Sequence, residues 1–403
     1  ALSWRLSGSK KNVIGLIHQF GIYDDAGGHI ARNEAYSRLR FLFHYRNKLR
    51  FFDIKDTRNF VISVFSYPIV NVKFKAIFKA IHPKTIDESL NHLESLSTTP
   101  IPKEKDTQGN WNLRGHKKRV IVINKNFLEA LVGDNPQVDN KHQIISPKLP
   151  QPYSDIGIEF TNKMKKNNLV LGSLKGFDSS MGLNESSSQK IGLIEKRSDF
   201  AVKGNVTIIT GANIHICNSI YKSAMEVCTH HSHFWPIHPL SSEYIKPRTL
   251  YQQIGLDNKI CTKDKLLSYY RIAVPRQIDP NTERTLQPCI IPPGWTHIDG
   301  IISFLFSDID DLIIACGLLS STTYDYYMKT SGATNFLRNT LELLPFPLIK
   351  GRLRTEIIDR VILLNCQNSL YSDLLREIIV SRQIEDVKAL IFNSTVQFKD
   401  QWQ

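Results

Sequence analysis

The chain has 403 residues, enough for two or three domains, with the 41% hydrophobic and 22% charged content of a folded protein that buries a sizeable core. Lys and Arg outnumber Asp and Glu by 51 to 38, and the resulting +13 favours a polyanionic partner, because basic side chains displace condensed counterions. No apolar run approaches the ~18 residues of a spanning helix, and Ala1-Leu2-Ser3-Trp4-Arg5-Leu6 lacks the plan of a signal peptide, so a cytoplasmic protein without a membrane partner is expected.

Residues 1–80 read as α/β. A core strand, Val13-Ile14-Gly15-Leu16-Ile17, precedes an Asp- and Gly-rich turn at Tyr23–Gly28. A strand so early, in a chain that does not begin with Met, suggests a piece of something longer. Tyr36, Leu39, Phe43 and Asn47 stack at helical spacing and predict a helix over Asn33–Leu49. Phe51-Phe52-Asp53-Ile54, a polar turn and the strand Phe60–Phe65 follow. This order matches the last third of a doubly wound sheet.

Residues 81–300 read as a mixed α/β region. Within it, 86–118 is a polar excursion, Arg119–Ile123 a short strand, 134–190 loop-rich with a mobile Asp178–Lys190, and Val206–Ile209 another strand. Residues 301–403 read as helical. Ile309, Leu312, Ile313, Cys316, Leu319 and Tyr326 trace one face of a helix over 308–330, with Ser307 and Asp310 placed to cap it. Ile357, Val361, Leu364, Tyr371, Leu374, Leu375 and Ile378 trace a second stripe over 355–379. The six cysteines are scattered, several within apolar runs, which fits reduced buried thiols better than a disulfide framework.

The most distinctive stretch runs from Arg284-Thr285-Leu286-Gln287-Pro288-Cys289-Ile290-Ile291-Pro292-Pro293-Gly294-Trp295, through a helix ending Tyr324-Asp325-Tyr326-Tyr327, to Asn335-Phe336-Leu337-Arg338 and Leu343-Leu344-Pro345-Phe346-Pro347. Earlier come Gly15-Leu16-Ile17-His18-Gln19-Phe20-Gly21-Ile22-Tyr23-Asp24-Asp25, Tyr36-Ser37-Arg38-Leu39-Arg40, Ile208-Ile209-Thr210-Gly211-Ala212-Asn213 and Tyr244-Ile245-Lys246-Pro247-Arg248-Thr249. In this order the strings resemble the C-terminal part of large single-chain adenine-N6 DNA methyltransferases of the type IIG restriction–modification and DISARM-like phage-defence kind. The resemblance implies the tail end of a Rossmann-like methyltransferase sheet over 1–80, a mixed α/β target-recognition region over 81–300, and its helical C-terminal part over 301–403.

Those enzymes need an Asn/Asp-Pro-Pro-aromatic tetrapeptide, whose oxygens hold the target amino group, and a Gly-rich loop for S-adenosylmethionine. Both are missing; Ile291-Pro292-Pro293-Gly294-Trp295 and Gln151-Pro152-Tyr153 come nearest and do not qualify. Nor is there a nucleophile elbow, a P-loop or a dinucleotide-binding loop. The resemblance therefore implies a chain that is inactive alone. It would hold double-stranded DNA while an upstream methyltransferase half, or a separate catalytic chain, binds S-adenosylmethionine and methylates a flipped adenine. The alternative is a stand-alone specificity subunit that recruits its catalytic chain. A remnant of a broken gene is the third reading.

In such enzymes an aromatic residue stacks on the adenine once it leaves the duplex and helps to offset the cost of flipping. Phe52 is the candidate and Phe51 its alternative; the plain competing reading is that both rings are core. Lys246, Arg248, Arg276, Arg284, Lys329, Asn335 and Arg338 lie beside turns or follow the first C-terminal helix and are the DNA-binding candidates. Arg and Asn can contact base edges bidentately, whereas Lys meets phosphate. Arg284 also suits an internal salt bridge. Cys217, Cys228, His230, His231, His233 and His238 cluster in sequence without a standard zinc spacing, so no metal is assigned. Asp155 and Glu159 lack the Lys that a PD-(D/E)xK nuclease requires.

Overall fold

The computed structural model describes residues 3–4, 11–56, 58–91, 99–132, 146–166, 168–197, 205–215, 220–237, 248–279, 282–333 and 335–382. The chain is mixed α/β and divides into two compact units, residues 1–166 with 330–332, and residues 167–329 with 333–403.

The first unit is built on a five-stranded sheet: β1 (Ile14–Gln19), β2 (Leu39–Arg46), β3 (Asn59–Phe65), β4 (Lys73–Ala80) and β5 (Ile121–Asn124), in the order β1-β3-β2-β4-β5. β2 and β4 are parallel; the other three pairings are antiparallel. The helix expected over Asn33–Leu49 is a correction. The α-helix is confined to His29–Arg38, Leu39–Arg46 is β2, and Asn47–Leu49 is a single 3-10 turn. Phe41, Phe43 and Tyr45 alternate, and this period of two, with aromatic side chains that suit a pleated surface, overrides the helical spacing of Tyr36, Leu39 and Phe43. One sheet face carries Leu42, Val61, Phe65, Phe74, Ala76, Phe78, Ile121 and Ile123. With Tyr23 and Tyr36, and with Phe127 and Leu128 from the helix Lys125–Val132, they form the main core. In the polar excursion, the helix Pro83–Leu90 buries Ile86 against Tyr45, Phe60, Ile77 and Ala80 on the opposite face.

The second unit holds two four-stranded sheets. One orders Trp295–His297, Thr207–Ile209, Tyr251–Gln253 and Ile194–Lys196; the other orders Cys289–Ile291, Arg271–Pro275, Ile301–Leu305 and Asp178–Ser180. Asp178–Lys190, expected to be mobile, instead supplies an edge strand and the helix Glu185–Lys190. Gly182 takes φ +63 between them, and the Asn184 side chain caps the helix by accepting from Ser187 N at 2.9 Å.

The 308–330 stripe is two helices, Ile309–Ser320 and Thr322–Ser331, parted at the extended Ser321. The first is capped by Asp308, rather than Ser307 or Asp310, through Asp310 N at 2.8 Å and Asp311 N at 3.4 Å. The 355–379 stripe is likewise broken, into Gly351–Asn365 and Ser372–Arg382. Gly317 lets Ile309–Ser320 close on Gly351–Asn365, since a Cβ there would lie 2.7 Å from Val361 Cγ2. Among the described residues no helix is long and apolar enough to cross a membrane.

Candidate nucleic-acid interface

In the first unit, the segment after β2 forms a loop fixed from beneath. Asn47 is fully buried; its Nδ2 donates to the carbonyls of Phe52 (2.9 Å) and Ile54 (3.1 Å), and its Oδ1 accepts from Phe52 N at 3.2 Å. These bonds hold the backbone so that Phe51 and Phe52 stand 47% and 40% exposed. Neither ring is core. The exposed Phe52 ring meets Phe60 edge-on at 4.8 Å, and Phe60 stacks on Tyr45 at 5.0 Å, so it rests on a rigid aromatic base. Phe51 lies 5.9 Å from His82.

Around these rings the sequence places Arg46, Lys48, Arg50, Lys55 and Arg58 against Asp53 and Asp56. Arg46 is spent on Glu104 at 2.8 Å and Lys48 on Asp56 at 3.0 Å. Arg50, Lys55 and Arg58 are exposed, and their side chains make no hydrogen bond or ion pair among the described residues. The sequence reading singled out Phe51 and Phe52 but not these cations. Their alternation with exposed aromatics was the available signal.

In the second unit, the structure sorts the basic candidates by what already holds them. Arg284 and Lys329 converge on the buried Asp325: Lys329 Nζ lies 2.9 Å from Oδ2 and Arg284 Nε 3.6 Å from Oδ1. The same carboxylate accepts from Thr285 N (2.5 Å) and Leu286 N (2.9 Å), while Arg284 donates to the Ser320 carbonyl and Lys329 to that of Glu283. Arg284 and Lys329 thus clasp the turn before Cys289–Ile291 to the helix Thr322–Ser331. Arg338 is exposed but occupied, by Glu342 at 2.7 Å, Asp178 at 3.5 Å and the Phe177 ring at 5.6 Å. Arg248 is half-buried, and its carbonyl accepts from Asn213 Nδ2 at 3.0 Å. Lys246 lies outside the described residues.

Arg276 differs from these. It follows the strand Arg271–Pro275, its amide donates to the Gly300 carbonyl at 2.8 Å, and its carbonyl accepts from Phe336 N at 2.7 Å. Its guanidinium makes no hydrogen bond or ion pair among the described residues, and Nε is buried without a partner. Next to it, Gln277 forms an isolated bridge with Asn335, and both are exposed. Of the predicted set, then, the structure brings Arg276 and Asn335 together at one strand end, with Gln277 as a neighbour that the sequence did not single out. Arg284 and Lys329 meet elsewhere, on Asp325.

Burial pushes the Cys289, Cys316 and Cys366 thiols up, Cys316 to about 12, so none of the three is a ready nucleophile. His230 and His233 are 6.1 Å apart, Cys217 and His238 lie outside the described residues, and among the described residues no group of three or more His, Cys, Asp or Glu is placed to hold a metal ion.

No protein-family model matches the chain, and no curated protein matches its sequence. Among solved structures, it is similar to the type IIG restriction endonuclease BpuSI, with 12% identity, a TM-score of 0.30, and 88% of this chain and 42% of that one covered. It is also similar to the type IIL restriction-modification enzyme MmeI in complex with DNA, with 7% identity, a TM-score of 0.41, and 90% and 43% covered. The chain spans less than half the length of either.

Proposed function

We propose that this chain is the DNA-recognition portion of a prokaryotic adenine-N6 DNA methyltransferase of a restriction–modification or phage-defence system. The observation that carries the reading is Arg276. Its guanidinium is left without a partner beside Asn335 and Gln277, while other basic candidates are drawn into internal pairs. Arginine can read guanine, and Asn or Gln can read adenine, each through two hydrogen bonds in the major groove. The net charge of +13 supplies attraction to phosphate whatever the sequence.

In this reading the strand end at Arg276 faces base edges, and Arg248 and Arg338 meet the duplex backbone. Phe52, on its Asn47-braced loop, stacks on the extruded adenine, and Arg50, Lys55 and Arg58 meet the phosphates beside it. S-adenosylmethionine and the catalytic tetrapeptide belong to the partner polypeptide, because the residues that would hold them are missing from this sequence.

The test is fluorescence anisotropy of a labelled duplex across a salt series. Binding at low ionic strength with a steep negative log–log slope, about −0.9 per phosphate contacted, is expected. No binding, or binding indifferent to salt, would overturn the reading.

A further inference from the structure

A largely antiparallel sheet that leaves one face to water normally makes that face polar. The first unit's sheet does not. Opposite its helix-covered face run two cross-strand rows fixed by the register: Gly15–Val64–Phe41–Lys75–Val122, and Ile17–Ile62–Phe43–Ile77. The helix Pro83–Leu90 covers only one end, over Tyr45, Phe60, Ile77 and Ala80, with Phe43 and Ile62 at its margin. Beyond that margin, Ile17 is 59% and Val122 44% exposed, Phe41 and Val64 are half-buried, and Val13, just before β1, is 66% exposed. Two further residues of this face, Lys73 and Lys75, are exposed and carry no ion pair among the described residues.

We propose that the open part of this face is the docking site for an amphipathic helix of a partner polypeptide, with an apolar stripe over Ile17, Val64, Phe41 and Val122 and carboxylates opposite Lys73 and Lys75. Two observations select that occupant. The same face is already covered, at its other end, by a helix that buries Ile86, so a second amphipathic helix extends an existing layer. The unpaired lysines disfavour a basic partner and a second copy of this +13 chain. The inference goes beyond the DNA reading and does not depend on it.

The test uses the whole chain and labelled helical peptides of about 18 residues, which at ~1.5 Å per residue cross five strands spaced ~4.8 Å apart. One peptide has a leucine stripe flanked by glutamates; its control has the same stripe flanked by lysines. The glutamate peptide should bind at least about tenfold tighter. Ile17→Asp should weaken it by a similar factor, and Lys75→Glu should reverse the preference between the peptides. Val227→Asp, an exposed position in the second unit, should change nothing. Circular dichroism and an unchanged urea-unfolding midpoint check that each variant is folded. Equal binding of the two peptides, indifference to Ile17→Asp, or an unreversed preference in folded Lys75→Glu would overturn the proposal.

Discussion

Asp264 and Arg271 form a two-pronged ion pair, Oδ1 to Nη1 and Oδ2 to Nη2 both at 2.7 Å, with both side chains fully buried. Thr296 also donates to Asp264, and Ser180 does so at 2.9 Å, so one carboxylate ties together strands from both sheets of the second unit. Burial alone would raise the Asp264 pKa, but the Arg271 guanidinium overcomes it and holds the carboxyl down at about 2.

Removing one partner of such a pair strands the other charge in the core. Asp264→Ala is therefore expected to destabilise the second unit by about 3–5 kcal/mol. The midpoint of urea unfolding, followed by a probe in that unit, measures it. A shift too small to resolve would show that solvent reaches Arg271.

Two buried histidines set the response to acid. Burial first, then Arg271, lowers His297 to about 4, and burial, Arg46 and Lys79 lower His44 to about 3. A base whose folded pKa is depressed binds its proton more readily when unfolded, so its stabilisation is present above the ordinary value near 6.5 and disappears as the pH falls through the folded one. Stability should therefore decline from about pH 6.5 to about 4 through His297 and on to about 3 through His44. Asp264 adds a further loss as the pH falls from its ordinary 3.8 toward about 2. Urea midpoints across pH 3–8 (about half-unit steps) would show this; a flat profile below pH 6 contradicts the buried neutral imidazoles.

Gly182 sits at φ +63, and a Cβ there would lie 2.2 Å from the His297 carbonyl oxygen. Gly182→Ala must both strain the backbone and push strand Trp295–His297 away, at a cost of about 2 kcal/mol or more. The thermal midpoint checks it.

Asn47→Ala removes three hydrogen bonds that pin the Phe51–Phe52 loop. Loss of about 1–3 kcal/mol of local stability is expected. Hydrogen exchange at residues 50–56 should accelerate, and on the proposed function binding to a duplex with an unpaired adenine should weaken more than binding to a fully paired one.

The strands at 14–19, 59–65, 121–124 and 207–209 were legible in sequence because apolar runs between polar turns signal them directly. β2 was not, since its aromatics fit two periods and only burial against Phe65 and Ile77 decides between them. The breaks at Ser321 and 366–371 carry no Gly or Pro and were invisible for that reason. Residue type picked out the basic candidates, but not which of them are spent internally. Arg284 finds Asp325 only through the fold, whereas the i,i+4 spacing of Asp325 and Lys329 could have been read from the chain.

The most direct measurement is selection from a pool of random-sequence duplexes by the wild-type chain, Arg276→Ala and Arg284→Ala in parallel. The wild type should enrich a defined motif. Arg276→Ala should relax one base-pair position of it, by about 1–3 kcal/mol, without loss of stability. Arg284→Ala, which loosens the Asp325 clasp, should lower stability while the folded fraction enriches the same motif. A wild type that enriches no sequence, or an Arg276→Ala chain that enriches the unaltered motif with full discrimination, would contradict the account.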